Sequence, residues 1–189
     1  MAAPKWNYVS SEDYLAIERA AKEKHELHQG RVVGMAGASF AHTEIVINVL
    51  GNIKNFLKAN PCRIYPSDLR IHIPSADSFT YPDAVIVCGK PEMLDGQFDT
   101  VTNPSVIIEV MSNSTEQYDR GTKFFYYMQI PSLREYILIS STNLYIQTAL
   151  KQADGSWKFE EIADKGGNLS IHTIKHSVNV EEIYENVTF

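Results

Sequence analysis

Two carboxylates stand where carboxylates are costly to place. Asp83 follows Tyr81-Pro82 and immediately precedes the apolar run Ala84–Cys88, and Glu109 lies inside the apolar run 105–111. Continuous apolar runs of this kind read as strands buried on both faces. A carboxylate there needs a cation or strong hydrogen-bond donors close by. Two of them on neighbouring buried strands would repel each other unless something positive bridged them. Paired carboxylate oxygens suit Mg²⁺, which keeps several waters and accepts phosphate oxygens as further ligands. Such an ion can activate water and offset charge at phosphorus. The plainer alternative makes Asp83 a turn residue at the start of a strand and pairs Glu109 with a structural Arg.

The elements that must position these acids follow from periodicity and punctuation. Ser10-Ser11 ahead of Glu12-Asp13 marks a helix start, and Tyr14, Leu15, Ile17 and Ala21 carry it to about Lys24. Residues 25–35 read as a hairpin turning at Gln29-Gly30. Ser39 opens a second helix, in which Ile45, Val46, Val49, Leu50, Ile53, Phe56 and Leu57 recur at helical spacing until Asn60-Pro61. Short strands at 63–65 and 69–73 precede the two apolar runs. A helix is expected over 115–128, a buried strand over 136–139, and a hairpin of 143–150 with 156–162 around Asp154-Gly155. A strand at 169–171 and a short helix from Val180 close the chain. No repeat or linker-like stretch interrupts this order, so one domain over 1–189 is expected, α/β in class with a mixed sheet.

Tyr81-Pro82-Asp83 with its apolar tail resembles one half of the PD-(D/E)XK nuclease signature. Asn103-Pro104-Ser105-Val106-Ile107-Ile108-Glu109-Val110-Met111-Ser112-Asn113-Ser114-Thr115 resembles the other half. More specific still is Tyr118-Asp119-Arg120-Gly121-Thr122-Lys123-Phe124-Phe125-Tyr126-Tyr127, followed by Ile130-Pro131-Ser132-Leu133-Arg134-Glu135-Tyr136. In this order the motifs resemble a large bacterial family of predicted restriction endonuclease domains. The likeness runs from Tyr14-Leu15 through Glu26 and Gly30 to Tyr184.

That resemblance implies a restriction-endonuclease-like mixed sheet flanked by helices, an αβββαβ core. An N-terminal helix and hairpin and a C-terminal β-hairpin would be additions to it. It further implies an endonuclease that hydrolyses DNA phosphodiester bonds with Mg²⁺ or Mn²⁺ and leaves a 5′-phosphate. Asp83 and Glu109 would be the metal ligands. The (D/E)-X-K pattern would place Lys two residues after Glu109, but Met111 stands there. The resemblance implies that the lysine has migrated to the next helix, as Lys123, to position or deprotonate the attacking water. Against this stands a Lys123–Asp119 pair at i,i+4 on a solvated helix face. Glu26 resembles the family's acid ahead of the Gly, a third site carboxylate or water orienter, against a plain exposed hairpin acid. His42 resembles a helix His that contacts phosphate or metal; Glu44, two residues on, faces elsewhere. Ser112, Ser114 and Thr115 read as a polar loop or a helix cap, and Tyr127 as core lining the site.

With 17 Lys+Arg against 23 Asp+Glu, the formal net charge is −6. That balance excludes a nonspecific nucleic-acid coat protein, which needs a basic surface to displace counterions. The acidity lies in the later part of the chain: residues 1–75 carry a net +2 and residues 76–189 a net −8. DNA is therefore expected to approach the first 75 residues, at Arg31, Lys54, Lys58, Arg63 and Arg70. The segment 89–102 is the expected recognition loop. No apolar run approaches the roughly 18 residues of a membrane span, and 1–7 lacks a secretory apolar stretch. Cys62 and Cys88 show no metal-type spacing and ask for no disulfide, which makes a reduced, cytoplasmic location the expectation. The rival class is a nucleic-acid-binding or dimeric interaction domain of the same fold with little or no catalysis, which Met111 favours. A homodimer is expected, with 143–171 as its interface.

Overall fold

In the computed structural model, which describes residues 8–97 and 99–189, the Ser10 hydroxyl starts α1 (Ser11–Ala20) by accepting the Asp13 N–H at 3.1 Å. The expectations for 1–7 lie outside the described residues. α1 ends short of Lys24 because Ala21 is extended, at φ −71° and ψ 152°. β1 (His25–His28) and β2 (Arg31–Gly34) form the expected hairpin, with His28 paired to Arg31. Its loop residues Gln29 and Gly30 have φ of 49° and 80°, and two positive φ values match the twist of the flanking strands. A Cβ on Gly30 would stand 2.2 Å from the Tyr8 ring. Gly30→Ala is therefore expected to lower stability by about 1–2 kcal/mol, measured by chemical denaturation. Gly37→Ala, where an added Cβ meets nothing within 4 Å, is the neutral control.

The Ser39 hydroxyl accepts the His42 N–H at 3.2 Å and starts α2 (Phe40–Phe56). Next come β3 (Cys62–Pro66), β4 (Arg70–Ile73), β5 (Ser78–Thr80), β6 (Ala84–Cys88), β7 (Thr100–Val101) and β8 (Val106–Met111). The single helix expected over 115–128 is instead α3 (Glu116–Tyr118), a π-helical turn (Asp119–Lys123) and α4 (Phe124–Tyr127). The chain ends with β9 (Glu135–Ser140), β10 (Ile146–Lys151), β11 (Trp157–Ile162), β12 (Asn168–Ile171), β13 (His176–Asn179) and α5 (Val180–Ile183).

The six-stranded sheet runs β11-β10-β9-β8-β6-β3 and the five-stranded sheet β2-β1-β5-β4-β7, while β12 and β13 form a ribbon. β8 and β9 are parallel, and the other pairs of the larger sheet are antiparallel. The succession α2, β3, β6, β8, helical segment, β9 is the expected αβββαβ core, and the β10–β11 hairpin extends its sheet. Every residue of β8 and β9 is buried, which explains their continuous apolar sequence. One sheet face packs Ile86, Ile108, Val110 and Ile137 with Ile45, Val49 and Ile53 of α2. The other joins Val85, Ile107, Met111 and Leu138 to Phe124 and Tyr127. Tyr14, Leu15, Leu27 and Phe79 attach α1 and the hairpin to β5. No described helix is long and apolar enough to cross a membrane.

Two expectations are corrected here. Cys62 and Cys88 are joined in a disulfide, although none was expected. The β3–β6 register sets these cysteines directly opposite each other across 26 residues of sequence, a proximity that spacing alone does not show. The inference of a reduced location from unpaired cysteines falls with it. Arg70, expected to face DNA, is buried at 2% exposure. Its guanidinium lies 3.0 Å from Asp99 and 3.1 Å from the Tyr81 hydroxyl, so it braces the interior. Arg63 is exposed but turns its guanidinium to the carbonyls of Asn60 and Cys62. Arg31, Lys54 and Lys58 are exposed. In the segment 89–102, Asp95 and Asp99 are each 2.7 Å from Arg19, which fixes them against α1.

Candidate active site

The last residue pair between β6 and β8 is Ala84 with Ile108. Asp83 and Glu109 are the next residues beyond that pair, one just ahead of β6 and the other within β8, and Asp83 is near enough for its charge to act on Glu109. Asp83 Oδ2 accepts the Val110 N–H at 2.7 Å, a donor left over where β6 begins, and lies 3.2 Å from His42 Nε2. The N-terminal turn of α2 delivers that histidine. Glu109 Oε1 accepts from Lys123 Nζ at 2.8 Å and from the Tyr127 hydroxyl at 2.9 Å. Tyr127 also reaches Thr80 Oγ1 at 2.9 Å.

Lys123 is only 8% exposed and stands 3.6 Å from Glu26 and 3.8 Å from Asp119. The solvated helix face is thus replaced by a buried cluster. The i,i+4 pair with Asp119 exists, but Glu109 is closer. A π-helical turn carries both residues inward, and such turns recur at functional sites. Met111 shares Glu109's face of β8, where a (D/E)-X-K lysine would sit, and belongs to the apolar cluster of Phe124 and Tyr127. Glu26, 12% exposed, is no exposed hairpin acid. Its Oε1 accepts the Tyr81 N–H at 2.9 Å and its Oε2 lies 3.0 Å from His28 Nε2. The structure therefore draws Glu26, Glu109 and Lys123 into direct contact, with the Asp83–His42 pair beside them.

One lysine shared among several acids sets the electrostatics. Burial pushes the Glu109 carboxyl up to about 8, helped by the negative charges of Asp119 and Asp83 and only partly countered by Lys123. Burial also raises Asp119. Burial alone would raise Glu26, but Lys123, His28 and the Tyr81 N–H outweigh it and bring Glu26 down to about 2. For Lys123, burial is outweighed by Glu109, Glu26 and Asp119, which hold the ammonium well above its ordinary range. For His42, burial is outweighed by Asp83 and Asp119, so its pKa is raised.

A divalent cation here would take its protein ligands from Asp83 and Glu109. The donors are carboxylate oxygens, which suit Mg²⁺ or Mn²⁺ rather than a soft metal. Among the described residues, no three His, Cys, Asp or Glu side chains are arranged to enclose an ion.

A family model described as "Uma2: Putative restriction endonuclease" matches residues 11–181. This chain belongs to the Uma2 family. Two uncharacterized proteins of Synechocystis sp. are similar to the Uma2 chain described here. One is 35% identical over 96% of this chain and 94% of its own length, the other 31% identical over 88% and 94%. Among solved structures, a "putative nuclease belonging to DUF820" from Anabaena variabilis has the same fold, with a TM-score of 0.78 over 95% of this chain and 99% of that one. At 12% identity it speaks for the fold alone, which agrees with the PD-(D/E)XK architecture implied by the motifs.

Sequence reasoning took Asp119 only as a surface partner for Lys123, and gave no part to His28 or Tyr118. It also missed the brace behind the Tyr81-Pro82-Asp83 turn. There the Tyr81 hydroxyl lies 3.0 Å from Glu18 and 3.1 Å from Arg70. The Glu26-x-His28 spacing on a strand was the one available signal, since it puts both side chains on one face. Ser112, Ser114 and Thr115 form a polar loop and not a helix cap: Ser112 Oγ lies 3.0 Å from Ser114 Oγ, the Thr115 hydroxyl accepts the Ser112 N–H at 3.1 Å, and no side chain caps α3.

Proposed function

We propose that this Uma2 chain is a metal-dependent endonuclease that hydrolyses DNA phosphodiester bonds. The observation that carries the reading is the buried contact of Lys123 with Glu109, one residue beyond the last β6–β8 pair, where Asp83 precedes β6. Asp83 and Glu109 would hold Mg²⁺, which when bound supplies an activated water and offsets charge at phosphorus. Lys123, kept as an ammonium, donates hydrogen bonds and positive charge. Its raised pKa makes it unsuited to deprotonating water, so its role is to orient the nucleophile and stabilise charge on the phosphate. Glu26 stays ionised and steadies that ammonium. His42 holds Asp83 in place and, as a cation, offers charge toward a phosphate. Tyr127 donates to Glu109 and fixes its rotamer.

Of the five cations expected to meet a DNA backbone, Arg31, Lys54 and Lys58 are exposed and not turned to local carbonyls as Arg63 is, and the net charge of −6 argues against a broad basic groove. Binding would therefore be weak and lost readily with salt. A homodimer through 143–171 belongs to the same proposal and is checked by light scattering. The rival reading, a binding domain without catalysis, rests on Met111; the 2.8 Å reach of Lys123 to Glu109 supports the catalytic reading over it.

The direct experiment is cleavage of supercoiled plasmid with Mg²⁺, with Mn²⁺ and with EDTA. Asp83→Ala should lower the metal-dependent rate by on the order of 10³-fold, with products carrying 5′-phosphates. Equal cleavage by wild type and Asp83→Ala would identify a contaminant and end the assignment.

A further inference from the structure

We propose that His28, braced by Tyr118, is a positioning residue that holds the Glu26 carboxylate against Lys123. Alternation along β1 puts Glu26 and His28 on one face, while Leu27, fully buried, packs on the other with Phe79. His28 Nε2 lies 3.0 Å from Glu26 Oε2, and His28 Nδ1 lies 2.8 Å from the Tyr118 hydroxyl. The two rings meet edge to face, at 5.3 Å and 77°. A carboxylate can only accept, so the proton of the first contact belongs to Nε2. Nδ1 of the neutral ring then accepts the tyrosine's proton, and both nitrogens are satisfied.

Tyr118 is the last residue of α3, directly before the turn that carries Asp119 and Lys123. His28 therefore ties the hairpin to the segment that delivers the lysine. Glu26 is gripped from two sides: the Tyr81 N–H holds Oε1, the oxygen that faces Lys123, and His28 holds Oε2. Without His28 the carboxylate keeps one anchor and can rotate about it. Lys123 would then settle toward Glu109 and Asp119, away from its three-way balance. No substrate contact is lost, so the defect belongs to turnover rather than to binding.

The kinetic part rests on the nuclease reading, so the test has one arm that needs no activity. In steady-state cleavage of a labelled duplex with Mg²⁺, His28→Ala is expected to lower kcat by about 10–100-fold with KM nearly unchanged. His28→Gln, whose amide can still donate to Glu26, should recover most of that loss. Tyr118→Phe should cost less than His28→Ala and add nothing to it. In the second arm, thermal unfolding without metal, the Tm loss from His28→Ala should shrink in a Glu26→Gln background. Equal Tm losses in both backgrounds would overturn the proposal. So would an unchanged kcat for His28→Ala, or equal kcat losses for Ala and Gln, in an active enzyme. Should wild type itself fail to cleave, the nuclease reading falls and takes the kinetic part with it, while the Tm cycle still decides whether His28 holds Glu26.

Discussion

Glu109→Gln should melt at a higher temperature than wild type at pH 8 in EDTA, yet cleave DNA on the order of 10³-fold more slowly. Both halves come from one carboxyl. Burial and the neighbouring Asp119 and Asp83 hold it up to about 8, against an ordinary value of 4.5. Between those values the folded protein keeps a proton that the unfolded chain has released, so stability falls as pH rises. The protonated carboxyl's contribution is intact below about 4.5 and gone above about 8. Glutamine has nearly the same shape, can still accept from Lys123 and Tyr127, and never ionises. Its advantage in Tm should therefore be small near pH 5 and grow toward pH 8. Activity moves the other way, because only the ionised carboxylate is a good Mg²⁺ ligand, and wild-type cleavage should climb between pH 6 and pH 8. Melting curves across this range and cleavage rates at each pH check both. A Gln variant less stable than wild type at pH 8 would show that Glu109 is compensated within the fold after all.

The two strand acids were legible because a carboxylate inside an apolar run contradicts its surroundings, and physical chemistry flags the contradiction. The αβββαβ order was legible for a related reason: β6, β8 and β9 are buried on both faces and say so in sequence. What stayed hidden depends on register and long-range packing. Cys62 and Cys88 become neighbours only when β3 pairs with β6. Arg70 looks like a surface cation until Asp99 and Tyr81 close around it. β13, His176–Asn179, shows no apolar alternation because only Val178 of its residues is buried. Asp119 sits one helical turn before Lys123, a spacing that a solvated pair and a buried cluster share. Lys123 itself came from the resemblance, and no spacing rule would have selected it.

Lys123→Met should destabilise the protein by about 3–5 kcal/mol at pH 9, above the Glu109 value of about 8, because it leaves buried ionised acids without their cation. It should also lower cleavage by on the order of 10³-fold. The stability loss and the activity loss are separable. Adding Glu109→Gln removes the acid nearest the lost ammonium, at 2.8 Å, so the double variant should regain much of its stability while remaining inactive. The coupling, read from denaturant midpoints of the four proteins, should far exceed the few tenths of a kcal/mol seen between independent sites. Additive losses would mean that the two residues do not share one charge balance. Moving the lysine is the sharper test. Residue 111 lies on Glu109's face of β8, two positions along, where the wider superfamily keeps its lysine. Met111→Lys in the Lys123→Met background should therefore return an ammonium to Glu109 and raise cleavage at least about 10-fold above the single variant, one decade being about 1.4 kcal/mol of barrier. The same substitution in wild type should destabilise, since a second buried lysine would enter the apolar cluster of Phe124 and Tyr127. Rescue in one background and damage in the other is what a migrated lysine requires, because the site accommodates one ammonium whichever element supplies it.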